Sequence, residues 1–500
     1  MLSDLTSPLT LTQARHLLRR ACFNADPDRV TALVGRSVRE VVEEWASEPV
    51  TTSMVPGPYW IDRLYPPLSA TTREVESFHS DNEYYIREVR MSWLNDLLLG
   101  TLGARMTLFW HNHFVTDVNK YRWGALAYRY VLRLSQGALG NFKEMTLGFV
   151  TDGAMLSYLD GDLNRRSAPN ENFARELLEL FTMGPTDSSG YPNYTQFDIE
   201  QAARALTGWG VYARESWDAQ IAYYYFDPGE KTIFGQTGTF NHEDVIDLIF
   251  SQRSSQVASF LAKKLVEEFL YADPPEDFVD AVAERIAAHD FVIGPVLADI
   301  LSSEAFFDEQ YQGARITSPL EFILLNISAL KGRPPDYLPH REEILHQADS
   351  FGQIMLSPPN VAGWPGHRAW LATDTLPSRW NRTSPVPELA WGVDFAALAE
   401  HYVEPDSSHP ALSIALRLAE ALFAVPIRFV EVPEIEQPFE GNLVQYPLPS
   451  GFLEGPSNEI NLVKLFLDGI PWYEWDPSAN GQMVHNYIQK LSKFPEFQLT

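Results

Sequence analysis

Two stretches carry the side chains that could do chemistry. The first is Phe109-Trp-His-Asn-His-Phe-Val115, with His111 and His113 two residues apart. The second is Ser167-Ala-Pro-Asn-Glu-Asn-Phe-Ala-Arg-Glu-Leu-Leu-Glu-Leu-Phe-Thr-Met-Gly184. On a helix turning about 100° per residue, Glu171, Asn172, Arg175, Glu176 and Glu179 share an arc of roughly 140°, and apolar residues fill the rest. Imidazole and carboxylate without thiolate suit iron, manganese or zinc, with an open coordination position to activate water or oxygen. Glu176 and Glu179 stand at i, i+3, a spacing by which carboxylates on one helix face hold a metal. The expected ligands are therefore His111, His113 and Glu176, with Glu171, Asn172, Arg175 and Glu179 as catalytic groups.

Each motif has a plainer reading. On a regular helix His111 and His113 point about 200° apart, so one metal takes both only on a strand or at a helix end; otherwise a histidine simply bonds buried polar groups. Haem is the variant in which one histidine is the axial ligand. In the second stretch, Arg175 can neutralise Glu171 and Glu179 at i±4 in a buried network. A third segment, with Trp364, Pro365, His367, Arg368, Trp370 and Arg379, is aromatic and cationic. It can close over an anionic or ring-bearing cofactor through Trp364 and Arg368, or pack as a plug on helices. No Gly-rich phosphate loop and no Gly-x-Ser-x-Gly elbow is present.

The elements that must position these residues are mainly helices. Periodicity and caps predict helices from Thr12 and Ser37, over Glu83–Leu99 and Ala104–Val115, over Trp123–Gln136 and Asn141–Thr151, and over Glu171–Phe181. Asn170 is expected to cap the last of these, and Gly184 to follow it in the left-handed region. Thr195 and Asp198 are spaced as a capping box for a further helix ending near Gly208. Ile221–Phe226 and Lys231–Phe234, joined by Asp227-Pro-Gly, read as a small β-hairpin near 221–234. Helices return over 243–306, 318–330, 459–467 and 486–493. Residues 51–80 read as an irregular connection, 350–381 as an ordered Pro/Trp-rich loop, and 425–460, acidic and Pro-rich with alternating Val and Ile, as an exposed insertion or short strands. The fold class is mainly α. A linear division follows: 1–80, the helical core 81–210 carrying both motifs, 211–381, and 382–500.

Composition narrows the function classes. The chain has 500 residues, with 38 Lys and Arg against 66 Asp and Glu, giving a formal charge of −28. Such a chain repels nucleic acid and anionic membranes at long range. Its 45% hydrophobic and 13% aromatic content are those of a folded protein. Cys22 is the single cysteine, so no internal disulfide or thiolate cluster forms. The start, Met1-Leu-Ser-Asp-Leu-Thr, lacks a basic-then-apolar export pattern, and no run of ~20 apolar residues is present; a cytoplasmic location is expected.

Several segments in order along the chain resemble a bacterial family, domain of unknown function 1800. They are Phe109-Trp-His-Asn-His-Phe-Val115, Gly140-Asn-Phe142 with Met155-Leu-Ser-Tyr-Leu-Asp160, and Pro169-Asn-Glu-Asn-Phe-Ala-Arg-Glu-Leu-Leu-Glu-Leu-Phe181. Tyr194-Thr-Gln through Ala203-Arg-Ala-Leu-Thr-Gly-Trp209, Lys231-Thr-Ile-Phe-Gly235, Pro358-Pro-Asn-Val-Ala-Gly-Trp-Pro-Gly366 and Phe494-Pro-Glu-Phe-Gln498 complete the set. The resemblance implies a helical protein, often exported, commonly encoded beside a second family, domain of unknown function 1501, as a protein partner; it carries no settled activity. Where the family has His-Asp before the Gly-x-Lys segment, this chain has Phe226-Asp227.

The expectation is an α-helical, metal-dependent enzyme acting on a small-molecule substrate. Oxidoreductase is preferred over hydrolase because Trp110, Trp209, Trp364 and Tyr158 crowd the motifs. The rival is a non-enzymatic partner or scaffold protein whose polar helix is a structural network.

Overall fold

The computed structural model describes residues 2–330, 338–373, 375–381, 394–402, 409–430, 432, 457–467, 475–476 and 481–500. The chain forms two compact units built from interleaved segments. Unit 1 comprises Met1–Ser7, Ser37–Phe306 and Ile354–Pro365; unit 2 comprises Pro8–Arg36, Phe307–Gln353 and Gly366–Thr500. These boundaries do not follow the linear division, because residues 354–365 return to the unit that holds both motifs.

Unit 1 is a set of mostly short amphipathic helices, many of them started by a side-chain cap. Thr71 and Glu74 form a capping box, so the helix expected from Glu83 begins a full three turns earlier and runs Thr72–Leu99. The irregular connection therefore ends near residue 70. Thr101 caps Leu102–His113, Asp117 caps Val118–Tyr121, Asn141 caps Phe142–Val150 and Asp152 caps Gly153–Tyr158. The Thr195–Asp198 box starts Gln196–Ala205 as the spacing predicts. The Thr72–Leu99 and Leu102–His113 helices both pack on Gly124–Gly137. Trp110, Phe114, Phe142, Phe149 and Phe181 are all buried and make the aromatic centre between them. Trp110 stacks on Phe142, with centroids 5.4 Å apart, and Phe114 stacks on Phe149 at 4.4 Å.

The mainly α reading with one small hairpin holds, but the hairpin's strands are shifted. Lys231–Ile233 pairs with Gln236–Gly238, and the turn is Phe234-Gly235, at φ +50° and +78°. Two consecutive left-handed residues make the primed turn that matches strand twist. Gln220–Ile221 instead pairs with Trp209–Gly210. Asp227-Pro-Gly turns on its own side chain, whose Oδ1 accepts from the Gly229 amide at 2.8 Å while Oδ2 accepts from Arg204 at 2.7 Å.

In unit 2, Leu11–Ala21 starts at a Thr10–Gln13 capping box and packs on Pro27–Leu33. Asp26 caps that short helix, with Pro27 at its first position. Pro319–Ala329 is buried along its whole length. The segment 350–381 is less irregular than expected beyond residue 366, with a 3-10 turn at His367–Leu371 and a helix at Thr375–Asn381. The C-terminal helices run Ser457–Leu467 and Gly481–Leu491. Most of the acidic, Pro-rich segment 425–460 lies outside the described residues. Among the described residues no helix is long and apolar enough to cross a membrane.

Candidate functional site

Because successive residues of a helix point about 100° apart, His111, Asn112 and His113 reach three different surroundings. His111 Nε2 accepts from the Leu356 amide at 3.2 Å. The proton therefore sits on Nδ1, which donates to the Tyr130 hydroxyl at 2.7 Å, and Tyr130 in turn donates to the Phe114 carbonyl at 2.8 Å. Burial, with the Arg90 charge added, pushes this imidazole down to about 3. It is a neutral structural group with both nitrogens engaged.

Asn112 makes a two-point contact with one residue. Its Oδ1 accepts from the Trp364 amide at 2.8 Å and its Nδ2 donates to the Trp364 carbonyl at 3.3 Å. Gly363, at φ +85°, lies so close that a Cβ there would stand 2.3 Å from Asn112 Oδ1. Only glycine lets the loop settle at this point.

His113 Nε2 donates to the Phe181 carbonyl at 3.0 Å, which leaves Nδ1 as a bare acceptor. That atom is buried and has no hydrogen-bond partner among the described residues. Burial, then the charge of Lys264, outweighs the Phe181 bond and holds His113 well below the usual imidazole range. Phe109, Trp110, Phe114, Phe142, Phe181 and Phe260 surround its ring.

The polar face of the second motif lies on the Asn172–Glu179 helix. Asn170 Oδ1 takes the Asn172 amide at 3.0 Å, as a cap would, and Gly184 is left-handed at φ +73°. Glu171, Arg175 and Gln196 close a triangle, with Arg175 to Glu171 at 3.1 Å, Arg175 to Gln196 at 3.0 Å and Gln196 to Glu171 at 2.7 Å. Asn172 Nδ2 donates to the Leu159 carbonyl at 3.1 Å, and Tyr194 donates to Glu179 at 2.9 Å. Burial and the neighbouring Glu179 raise the Glu176 carboxyl, against Arg175. Burial, Asp117 and Glu176 raise the Tyr158 phenol.

Two expectations are corrected by this geometry. The carboxylate face is half-exposed rather than buried, since Glu171, Arg175 and Gln196 satisfy one another while still wet. The set His111, His113 and Glu176 is not assembled. His111 is saturated by Tyr130 and Leu356, and His113 meets the motif helix through a backbone carbonyl. Among the described residues no three of His, Cys, Asp and Glu stand together as a metal site. The haem variant keeps only His113 Nδ1 as an available lone pair. Trp364 is buried in unit 1, edge-on to His111 at 5.4 Å, whereas Arg368 is exposed in unit 2. Arg379 is buried in unit 2 and donates to the Thr317 carbonyl at 3.0 Å.

Other participants escaped the sequence reading. Tyr130 and Leu356 complete the His111 contacts, and Asn164 and Asn193 tie loops to backbone carbonyls at Ala203 and Met183. Asp198, read as a cap, also accepts from the Phe234 amide at 2.7 Å. Asp152 is buried, capping its helix and pairing with Arg133 at 3.2 Å, and burial raises its carboxyl despite that guanidinium. Of these, the Asn and Asp residues beside helix starts were the signal available in sequence.

A family model described as protein of unknown function (DUF1800) matches residues 16–435. No curated protein and no solved structure matches the chain.

Proposed function

We propose that this chain, which belongs to the DUF1800 family of proteins of unknown function, is a helical binding or scaffold protein whose motifs fasten unit 1 together. One observation carries the reading. His111, Asn112 and His113 each bond a backbone group of a different residue, Leu356, Trp364 and Phe181, so the triplet clamps one loop and one helix end. A partner surface fits the same unit. Tyr223 and Tyr224 are 76% and 74% exposed, and Arg166 and Arg165 lie over Tyr224 and Tyr225, with guanidinium-to-ring distances of 4.9 and 4.3 Å. Exposed Tyr with Arg is the composition of binding hot spots. A protein of the domain of unknown function 1501 family is the first partner to test. Calorimetric titration of that protein against wild type and Tyr223→Ala/Tyr224→Ala checks the reading. Binding weakened at least about tenfold in the variant, or ~1.4 kcal/mol, supports it; equal binding, or none to wild type, removes it.

A second reading, a metal-dependent enzyme with oxidoreductase preferred over hydrolase, rests on Glu176. Its half-buried carboxyl faces the like charge of Glu179 and takes no hydrogen bond among the described residues. A cation such as iron, manganese or zinc would relieve that repulsion. Calorimetric titration of each metal into wild type and Glu176→Gln tests it.

A further inference from the structure

Arg165 and Arg166 are both exposed, and each guanidinium lies over a tyrosine ring of the segment 222–226, Arg165 over Tyr225 and Arg166 over Tyr224. Among the described residues neither forms an ion pair, whereas Arg175 and Arg204 of the same unit hold Glu171 and Asp227 at 3.1 and 2.7 Å. Backbone bonds fix the two loops beneath them. The Arg166 amide donates to the Tyr225 carbonyl at 2.8 Å, and the Ala168 amide closes its turn onto the Arg165 carbonyl at 2.9 Å. Buried Asn164 anchors that turn, since its Nδ2 donates to the Ala203 carbonyl and its Oδ1 accepts from the Asn170 amide. In a chain with a formal charge of −28, the result is a fixed positive island bordered by exposed Tyr223 and Tyr224.

We propose that this surface takes an acidic peptide segment of a partner protein, with carboxylates received by Arg165 and Arg166. The inference rests on the binding-protein reading above and names the chemistry that its partner presents. A guanidinium resting on a ring face keeps the in-plane N–H fork that matches a carboxylate. Over the rest of the molecule the net negative charge repels an acidic segment, so such a segment is directed to the place where positive charge is left uncompensated. The backbone bonds hold both loops in place before binding, which reduces the conformational freedom lost on association. Tyr223 and Tyr224 supply aromatic area beside the ion pairs and exclude water from them.

The probe is a short oligoglutamate peptide titrated calorimetrically into the full chain, against an oligoglutamine peptide of equal length. At about 0.15 M salt, repulsion from charges farther than about 8 Å is largely screened. Wild type is expected to bind oligoglutamate at least about tenfold more tightly than oligoglutamine, and Arg165→Gln/Arg166→Gln to lose that factor. Both side chains are exposed and the loop bonds run through their backbone, so this variant keeps the fold. Equal binding of the two peptides by wild type, no binding of oligoglutamate, or undiminished oligoglutamate binding in the variant overturns the proposal. A partner protein that no longer binds Tyr223→Ala/Tyr224→Ala, yet binds Arg165→Gln/Arg166→Gln as tightly as wild type, overturns it too while leaving the binding-protein reading in place.

Discussion

Replacing His111 by Phe keeps the ring and the burial but removes both hydrogen-bonding nitrogens. The Leu356 amide would then be a buried donor without an acceptor, at a cost of about 1–3 kcal/mol. Tyr130 keeps its bond to the Phe114 carbonyl and loses only the donor from Nδ1, about 0.5–1.5 kcal/mol. The expected destabilisation of unit 1 is therefore about 2–4 kcal/mol. His111→Gln, whose amide can reach the Nε2 position, should recover about half of it by accepting from Leu356. Because the folded imidazole sits at about 3, below its unfolded value of about 6.5, the unfolded state takes up the proton first as pH falls. Stability is thus full above about pH 6.5 and declines toward about pH 3, by about 1.4 kcal/mol per pH unit from this one residue. His111→Phe should flatten that decline, leaving the contribution of His113. Hydrogen exchange at the Leu356 amide, with chemical denaturation at several pH values, reads both effects. An unchanged pH slope, a stability within about 0.5 kcal/mol of wild type and a still-protected Leu356 amide would refute the reasoning.

Two further substitutions test the clamp and its supports. Gly363→Ala places a Cβ 2.3 Å from Asn112 Oδ1 at φ +85°, so a loss of about 2–4 kcal/mol is expected, with exchange protection lost at Trp364; a variant as stable as wild type would show that the loop does not need this approach. Asp198→Ala removes both the carboxylate arm of the capping box, which accepts from the Thr195 amide, and the acceptor for Phe234, for a loss of about 2–4 kcal/mol that urea denaturation measures. Unchanged stability there would show that the hairpin does not depend on this carboxylate.

The sequence carried the helices because their caps and apolar periods are local. The Thr195–Asp198 box and the caps at Ser37 and Asn141 stand where their residue types place them. The Thr71–Glu74 box was equally local, but the prolines before it obscured the start of the longest helix. The hairpin shifted because Ile221–Phe226 and Lys231–Phe234 have equal strand character, and the left-handed pair Phe234-Gly235 decides the pairing. The site was harder to read. Two histidines in one motif and three glutamates in the other suggest a metal, but the proton positions are set by Leu356, 245 residues away, and by the Phe181 carbonyl. Long-range backbone partners leave no mark in local composition, so His111 as fastener and His111 as ligand look alike in the sequence.

Metal content measured by mass spectrometry on tag-free protein, alongside His111→Phe and Glu176→Gln, tests the central claim most directly. The clamp account predicts no stoichiometric metal in any of the three, with stability lowered in His111→Phe. A full equivalent of iron, manganese or zinc in wild type, lost in either variant, would contradict it.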